Sequence, residues 1–527
     1  MLDVLRPGRY INQEWNSCHK DWNKVSIHMA LAFPDIYEIG MSHIGMRILY
    51  GILNNQEDVS CERVFAPWRD MEEKLRREEK KLASLETGKP LKEFDIIGFS
   101  LQYEMNFTDV LNIIDLGGVP IFSKDRCEDD PIVIAGGHCC FNPGVMSEFI
   151  DVFVIGEAEE VILEIVDVFR SNDARGSILK ELSRLDGVYV PGLKKDKTET
   201  VLCRKIKDLD SSFFPVDIVV PYIQIVHDRI GIEIMRGCPH RCKFCQATKI
   251  FDPLRIRSVD NILDIASRSI KSTGYEEISL LSLSSGDYPY IDELAMRLEE
   301  RFKHKGVKIS LPSLRVRDFD VKGATSLIKK AGLTFAPEAG SERLRKYLNK
   351  KIDTDLIVEK SNLLLKAGWK KVKLYFMIGL PTEDQADLDA IIGLVSKIKS
   401  VNLSISSFIP KPHSDFEREG MDSLEVLKDK VDYIFRKKIE VNKKNILRID
   451  FHNVEMSRIE AILSRGDEKI GKVVYEVWRK GARLQAWGEY FDHSLWEQGL
   501  KENNIDVGSY LNKVKDDAGL SWDFIGT

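Results

Sequence analysis

Short apolar runs separated by stretches of helical periodicity fill the first 215 residues. Residues 25–33 form one such run, ending at Pro34, and Ile44, Ile48, Leu49 and Ile52 follow at helical spacing. Residues 61–65 predict a second strand, leading into a charged helix over 71–85. Residues 94–100, 131–135 and 151–155 predict three more. Strands that are apolar throughout, with helices between them, belong to a parallel sheet covered on both faces. The region therefore reads as a doubly wound, Rossmann-like sheet. Its ligand edge lies where the strands end, at Pro34-Asp35, Ser100-Leu101, Gly136-Gly137 and Gly156-Glu157.

From about 216 to 444 the same unit recurs with different spacing. Strands are predicted at 231–235, 278–283, 307–311, 333–336, 372–378 and 403–408. Helices are predicted at 260–272, 291–302, 321–330, 354–367, 382–399 and 424–440. Six strand–helix units make an open sheet or a partial (β/α)6 TIM barrel, and in a barrel the active residues gather at the strand C-termini. Those ends carry Arg236-Gly237-Cys238, Ser284-Ser285-Gly286-Asp287, Arg315 and Arg317, Pro337-Glu338-Ala339-Gly340 and Gly379-Leu380-Pro381. Caps and glycines are also what any strand-to-helix loop needs; polar residues at nearly every end favour a ligand mouth. The last stretch, 445–527, is rich in aromatics (Tyr475, Trp478, Trp487, Tyr490, Phe491, Trp496, Tyr510, Trp522) and predicts a small, mainly helical region packed on the barrel. The whole is an α/β chain in three parts: 1–215, 216–444 and 445–527.

Composition narrows the function classes. A chain of 527 residues exceeds one ordinary domain. Its 43 % hydrophobic and 30 % charged residues suit a soluble globular protein. The net charge of −6, from 77 basic and 83 acidic residues, excludes a strongly basic nucleic-acid coat. Local basic runs, Arg436-Lys437-Lys438 with Lys443-Lys444 and Lys370-Lys371 with Lys373, read more simply as solvated faces than as an RNA site. Residues 1–10 hold no apolar signal core and nowhere do 18 apolar residues run together, so a cytosolic protein without a membrane span is expected.

Nine cysteines are too few and too scattered for a disulfide framework. Three are clustered, in Met235-Arg236-Gly237-Cys238-Pro239-His240-Arg241-Cys242-Lys243-Phe244-Cys245. Three thiolates from one loop can converge on one metal centre, and thiolates select zinc or iron–sulfur clusters. Structural zinc needs a fourth ligand, for which Cys203 or His240 would have to serve. On a four-iron cluster, three ligands leave one iron uncovered and open to chemistry.

The spacing of Cys238, Cys242 and Cys245, with Phe244 before the third, resembles the signature of the radical S-adenosylmethionine superfamily. The resemblance implies that these cysteines hold a [4Fe-4S] cluster and that S-adenosylmethionine chelates the free iron. One electron from the cluster then splits the sulfonium into methionine and a 5′-deoxyadenosyl radical. It also implies a reductant of ferredoxin or flavodoxin type as partner. Ser284-Ser285-Gly286-Asp287 stands where the superfamily places a glycine-rich edge for the methionine amino group, although it departs from the usual two glycines and a glutamate. Glu338 and Gly340 resemble the fourth-strand motif facing the cofactor, with helix capping the alternative for Glu338. Gly379-Leu380-Pro381-Thr382-Glu383 resembles the fifth-strand motif, where backbone meets adenine. Arg315 and Arg317 can bind an anion or serve as exposed structural arginines.

Residues 25–170 resemble the N-terminal half of cobalamin-associated radical enzymes, with Gly136, Gly137, Gly156 and Glu157 at the strand ends of a corrin-binding sheet. The aspartate–histidine–glycine loop that ligates cobalt in many cobalamin proteins is absent, since His43 is followed by Gly45 rather than by a glycine three residues on. Over nearly its full length the chain resembles an uncharacterised family of the superfamily, on Pro7-Gly8-Arg9-Tyr10, residues 334–341 and 408–413, Arg465-Gly466-Asp467 and Gly481-Ala482-Arg483. The expected function is radical chemistry on an unactivated carbon, with cobalamin-assisted methyl transfer as its leading form. Methylthiolation of RNA or protein and a non-catalytic cluster or zinc scaffold are the alternatives. The substrate stays open.

Overall fold

A strand buried on both faces needs a helix on each side, and the first region is built to that rule. The structure, a computed structural model, describes residues 3–193, 200–310, 333–369, 371–441 and 446–527. Six strands form one sheet: β1 (Ile27–Phe33), β2 (Val59–Phe65), β3 (Ile96–Ser100), β4 (Ile132–Gly136), β5 (Val152–Val154) and β6 (Val188–Tyr189). Their order is β2-β1-β3-β4-β5-β6, with the first five parallel and β6 antiparallel. The order reverses between β1 and β3, which places the ligand crevice beyond their carboxyl ends.

One face carries α1 (Ile44–Asn54) and α3 (Val161–Ser171), packed on Met29, Leu31, Ile134 and Val154. The other carries α2 (Phe107–Leu116), packed on Ala30, Ile97, Val133 and Ala135. The tail adds further cover to this second face. Val473, Val474, Val477 and Trp496, from α5 (Glu468–Arg479) and α6 (His493–Glu502), join the α2 core. The tail is mainly helical as expected, but it packs chiefly on the N-terminal sheet rather than on the barrel. α4 (Val454–Ser464) also lies beside the barrel, with Ala461 in its core, and further along the tail the Val514 amide donates to Arg418 O and Trp522 Nε1 to Glu417. The charged helix expected over 71–85 ends earlier, at Arg69–Arg77. Glu78-Glu79-Lys80-Lys81 offers nothing apolar to bury; the chain turns at Glu79 (φ 53°) and the Leu82 amide donates to Leu116 O.

The central region holds two runs of parallel strands, β7 (Ile230–Glu233), β8 (Glu277–Leu281) and β9 (Lys308–Ser310), then β10 (Leu333–Glu338), β11 (Val372–Ile378), β12 (Val401–Ser407) and β13 (Ile446–Phe451). Val372, Leu374, Phe376 and Ile378 lie under the helices of the outer layer, so Lys373, Tyr375 and Met377 face the inside of the curved sheet. Strand β13 continues that sheet beyond the six units read from the sequence. Its Ile-Leu-Arg-Ile-Asp-Phe pattern, with two charges, hides an edge strand from an apolar-run criterion. Arg315, Arg317 and the helix expected at 321–330 lie outside the described residues. No helix among the described residues is long and apolar enough to cross a membrane.

Candidate functional site

The three cysteines stand on one loop immediately after the first barrel strand. Gly237 starts it with φ 89°, where an added Cβ would lie 2.7 Å from Phe251 O; only glycine makes that turn cheaply. The loop is stitched down on both sides. The Lys243 amide donates to Leu348 O at 3.0 Å, Asn349 Nδ2 to Arg241 O at 2.7 Å, and the Phe416 amide to Lys243 O at 3.2 Å. Within it, the Cys245 amide donates to Cys242 O at 3.1 Å and Thr248 Oγ1 to Cys245 O at 2.8 Å.

Burial pushes the Cys242 thiol up to about 11 against the pull of Lys350, and the neighbouring Cys245 and Cys238 add to the rise. Burial likewise raises Cys245, with Cys238 contributing. The three sulfurs thus share one electrostatic neighbourhood. Among the described residues no three histidine, cysteine or carboxylate side chains are already gathered as a metal cage. The donor set nevertheless suits a thiophilic centre, whose binding would displace the thiol protons and draw the loop together.

Residues expected around the cofactor fall into two groups. Those at the ends of β8 and β10 are tied to the cysteine loop. His240 Nε2 lies 2.8 Å from Asp287 Oδ2, Ser284 Oγ donates to the same carboxylate, and Ser285 lies 3.0 Å from Ser282 through their hydroxyls. Glu338 sits at φ 68° with Lys350 at 3.4 Å; burial raises its carboxyl and Lys350 opposes that rise. Glu338 is thus held in a strained backbone position beside the thiols, and Ser341, not Glu338, caps the following helix. The other group has structural occupations. A Cβ on Gly340 would lie 2.3 Å from Ile391 N, so its bareness admits the helix Gln385–Val395. Gly379 donates its amide to Glu383, whose carboxylate is held by Lys430 at 2.6 Å. Gly286 lies buried in a short turn of 3-10 helix.

A second site lies at the crevice of the N-terminal sheet. A cavity of about 310 Å³ is lined by Leu31, Gly98, Ser100, Gly136, Gly137, Val154 and Gly156 from the strand ends, and by His43, Ile44 and Ile48 from the start of α1. A Cβ on Gly136 would meet nothing nearer than Val154 at 3.9 Å, so any side chain there would stand in the cavity. The far wall comes from the barrel, as Glu233, Arg236, Ile250 and Phe251. Arg236 and Phe251 flank the cysteine loop, so both sites share one partition. Two imidazoles face the cavity. Burial lowers His138 and, helped by His138 and Arg47, brings His43 to about 4, so both are neutral. His43 Nδ1 accepts from the Met46 amide at 3.3 Å, its ring lying over Gly45 where a Cβ would come within 2.8 Å. The His138 ring stands edge-on to Phe251, 5.3 Å between centroids.

Glu157 lines the cavity as expected of a strand-end residue, but its carboxylate is engaged by the protein itself. Its two oxygens accept from both Nη atoms of Arg255 at 2.8 Å, from the Ile206 amide at 2.6 Å, and lie 3.2 Å from Arg236. The carboxylate rivets the sheet to the barrel. Glu157→Gln should therefore destabilise the protein by about 3 kcal/mol, the cost of breaking a buried pair, read as a lower urea midpoint with ligand binding to the cavity retained. Unchanged stability with lost binding would restore the carboxylate to ligand contact.

Residues 232–395 match the Radical SAM superfamily profile, and residues 45–191 match the one for Radical SAM proteins, N-terminal. An uncharacterised protein of Methanocaldococcus jannaschii is 32 % identical over 458 residues, covering 85 % of this chain and 91 % of that protein. The chain belongs to the radical S-adenosylmethionine superfamily. The radical S-adenosylmethionine methyltransferase TsrM from Kitasatospora setae, solved with cobalamin and a [4Fe-4S] cluster bound, shares the fold at a TM-score of 0.52 and 12 % identity, over 75 % of this chain and 74 % of that one. A putative methylthiotransferase of M. jannaschii is 24 % identical over 60 % of this chain and 68 % of its own length. Membership in the superfamily makes this an enzyme that uses a [4Fe-4S] cluster and S-adenosylmethionine and depends on a reductant.

Sequence reasoning read Arg236 and His138 only as members of strand-end motifs and gave no role to Phe251 or Lys350; the fold brings Arg236, His138 and Phe251 to the cavity wall and Lys350 to Glu338. Lys350, in an ordinary-looking Asn-Lys-Lys turn, carried no signal.

Proposed function

We propose that this radical enzyme carries out cobalamin-assisted methyl transfer to an unactivated carbon, with 1–215 as the corrin-binding part, 216–444 as the barrel and 445–527 as its cover. The observation that carries the reading is the cavity at the sheet crevice whose far wall is the chain on either side of the three-cysteine loop. Cys238, Cys242 and Cys245 would hold the cluster, with Ser284, Asp287 and Glu338 nearest to it for S-adenosylmethionine. The apolar walls and the bare Gly136 suit the buried part of a flat, largely hydrocarbon macrocycle. When bound, cobalamin would supply a methyl carrier.

The chain's own residues position and exclude. Glu157 and Arg255 close the partition, and Phe251 and Ile250 keep water from it. The His43 ring, with Nδ1 committed to Met46, presents an Nε2–H donor rather than a free lone pair. Ligation of cobalt by His43 would cost the α1 cap, which supports binding without that histidine. The methylthiolation alternative needs a second cluster, yet Cys61 and Cys140 are fully buried in the N-terminal cores while Cys127 is exposed.

Titration of the anaerobically reconstituted protein with hydroxocobalamin tests the reading. Retention of one corrin per chain through gel filtration, with 5′-deoxyadenosine formed on reduction, is expected. Cleavage without corrin retention would end the methyl-transfer reading, and about eight irons per chain, instead of about four for one cluster, would favour methylthiolation.

A further inference from the structure

Polar groups turned away from solvent are nearly always engaged by other protein groups, and at the sheet crevice most are. Glu157 is held by Arg255, and Glu159 and Glu233 by Arg236 at 2.7 and 2.8 Å. Ser100 Oγ accepts from Gln102 Nε2 at 2.9 Å, and His43 Nδ1 caps α1. His138 is the exception. Its ring borders the cavity, yet among the described residues neither ring nitrogen has a hydrogen-bond partner.

A well-fastened turn places that ring. Gly137 bends the chain at φ 112°, where a Cβ would fall 2.4 Å from Leu101 O. His138 then opens the short 3-10 turn His138–Phe141. At its start the Cys139 amide donates to Leu101 O at 3.2 Å, and at its end His413 Nε2 donates to Phe141 O at 2.9 Å. Phe251, edge-on at 5.3 Å between centroids, bounds the imidazole from the barrel side. Burial keeps the ring neutral against the pull of the Glu104 carboxylate. A neutral imidazole carries one lone pair, and here it is held in place with no protein donor to meet it.

We infer, resting on the cobalamin reading above, that His138 is the axial ligand of the cobalt in a corrin bound at this crevice. Neutral imidazole is the form in which histidine binds metals, and the centre of a corrin leaves its axial positions to outside donors. The loop beyond β1, where the aspartate–histidine–glycine motif is missing, offers His43, whose Nδ1 lone pair is committed to the Met46 amide. The replacement comes from the turn beyond β4, on the other flank of the crevice. The bond is dative: the imidazole lone pair enters an axial position and a water, or the cofactor's own base, leaves it. Cobalt keeps its oxidation state, and no proton is released because the ring is neutral beforehand.

Electron paramagnetic resonance of the Co(II) state reads this bond directly, because the unpaired electron lies along the axial direction and is split by the nucleus of a ligating nitrogen. The reconstituted full-length protein, with nitrogen-15 in its histidines, is loaded with unlabelled hydroxocobalamin, passed through gel filtration and reduced with ascorbate. A nitrogen-15 doublet on the cobalt lines is expected, kept in His43→Gln and lost in His138→Gln with the corrin still retained. A nitrogen-14 triplet in the labelled protein would make the cofactor's own base the ligand, and unsplit lines would give the position to water. Either overturns the assignment while the cobalamin reading stands. Loss of the doublet in His43→Gln overturns it too. If His138→Gln fails to fold or to hold the corrin, the doublet in His43→Gln decides, since His43 and His138 are the histidines lining the cavity. Absence of corrin from the wild type would sink both readings together.

Discussion

Cys242→Ala should yield a folded protein that binds almost no iron and cleaves no S-adenosylmethionine, where the wild type holds about four irons per chain. The expectation follows from where the side chain stands. Cys242 is buried beside Asn349 O, in the neighbourhood of the other two thiols, but belongs to none of the hydrophobic cores that build the sheet and the barrel. Removing one of three ligands leaves a chelate too open to retain a cluster, while the packing that sets stability is untouched. Cys61→Ala is the opposite control: Cys61 lies in the core between β2 and α1, so its loss should weaken folding and leave iron content intact. Iron analysis, circular dichroism and 5′-deoxyadenosine yield read both outcomes. Full iron retention by Cys242→Ala would remove the ligand assignment.

Lys411→Met should destabilise the protein by about 3–5 kcal/mol at pH 7.5, the usual cost of stripping the partner from buried charge. Lys411 Nζ donates to both oxygens of Glu104 at 2.8 Å, lies 2.8 Å from Glu460 Oε1 and reaches Ser464 Oγ at 2.8 Å. The Tyr103 hydroxyl donates to the other Glu460 oxygen at 3.0 Å. One lysine from the barrel thus clasps a carboxylate beyond β3 and another on α4, joining all three parts of the chain. Burial would raise Glu104, but the charge and hydrogen bond of Lys411 hold it below the usual carboxylate range. That lowered carboxyl stabilises the wild type above its unfolded value and loses the contribution as pH falls through the folded one. In Lys411→Met the sign reverses: an unpaired buried carboxyl is raised, the folded state takes up a proton, and stability is regained as pH falls. The gap in urea midpoint between the two proteins should therefore be smaller at pH 5 than at pH 7.5. A gap that widens towards acid, or none at pH 7.5, would show that the clasp is solvated.

Much of this was readable from local pattern. The continuous apolar runs identified five of the six strands of the first sheet, and the cysteine spacing located the metal loop because ligands closing one centre must lie close in the chain. Glycines at 136, 137 and 156 marked the crevice: Gly137 and Gly156 take positive φ, and a bare Gly136 keeps the cavity open. What escaped depended on partners distant in the chain. Glu157 reads in the sequence as an acid of the ligand edge; its pairing depends on Arg255, nearly a hundred residues on. Strand β13 was hidden by its charges, and α5 and α6 could be recognised as helices but not assigned to a face.

Residue order alone therefore settled the kind of chemistry and the succession of strands and helices, since both are encoded over a few neighbouring positions. Which surfaces meet is another matter, because burial and charge pairing are summed over residues hundreds of positions apart. Only the folded chain sets the tail on the nucleotide-type sheet, turns Glu157 and Lys411 into rivets and stands the crevice back to back with the cysteine loop.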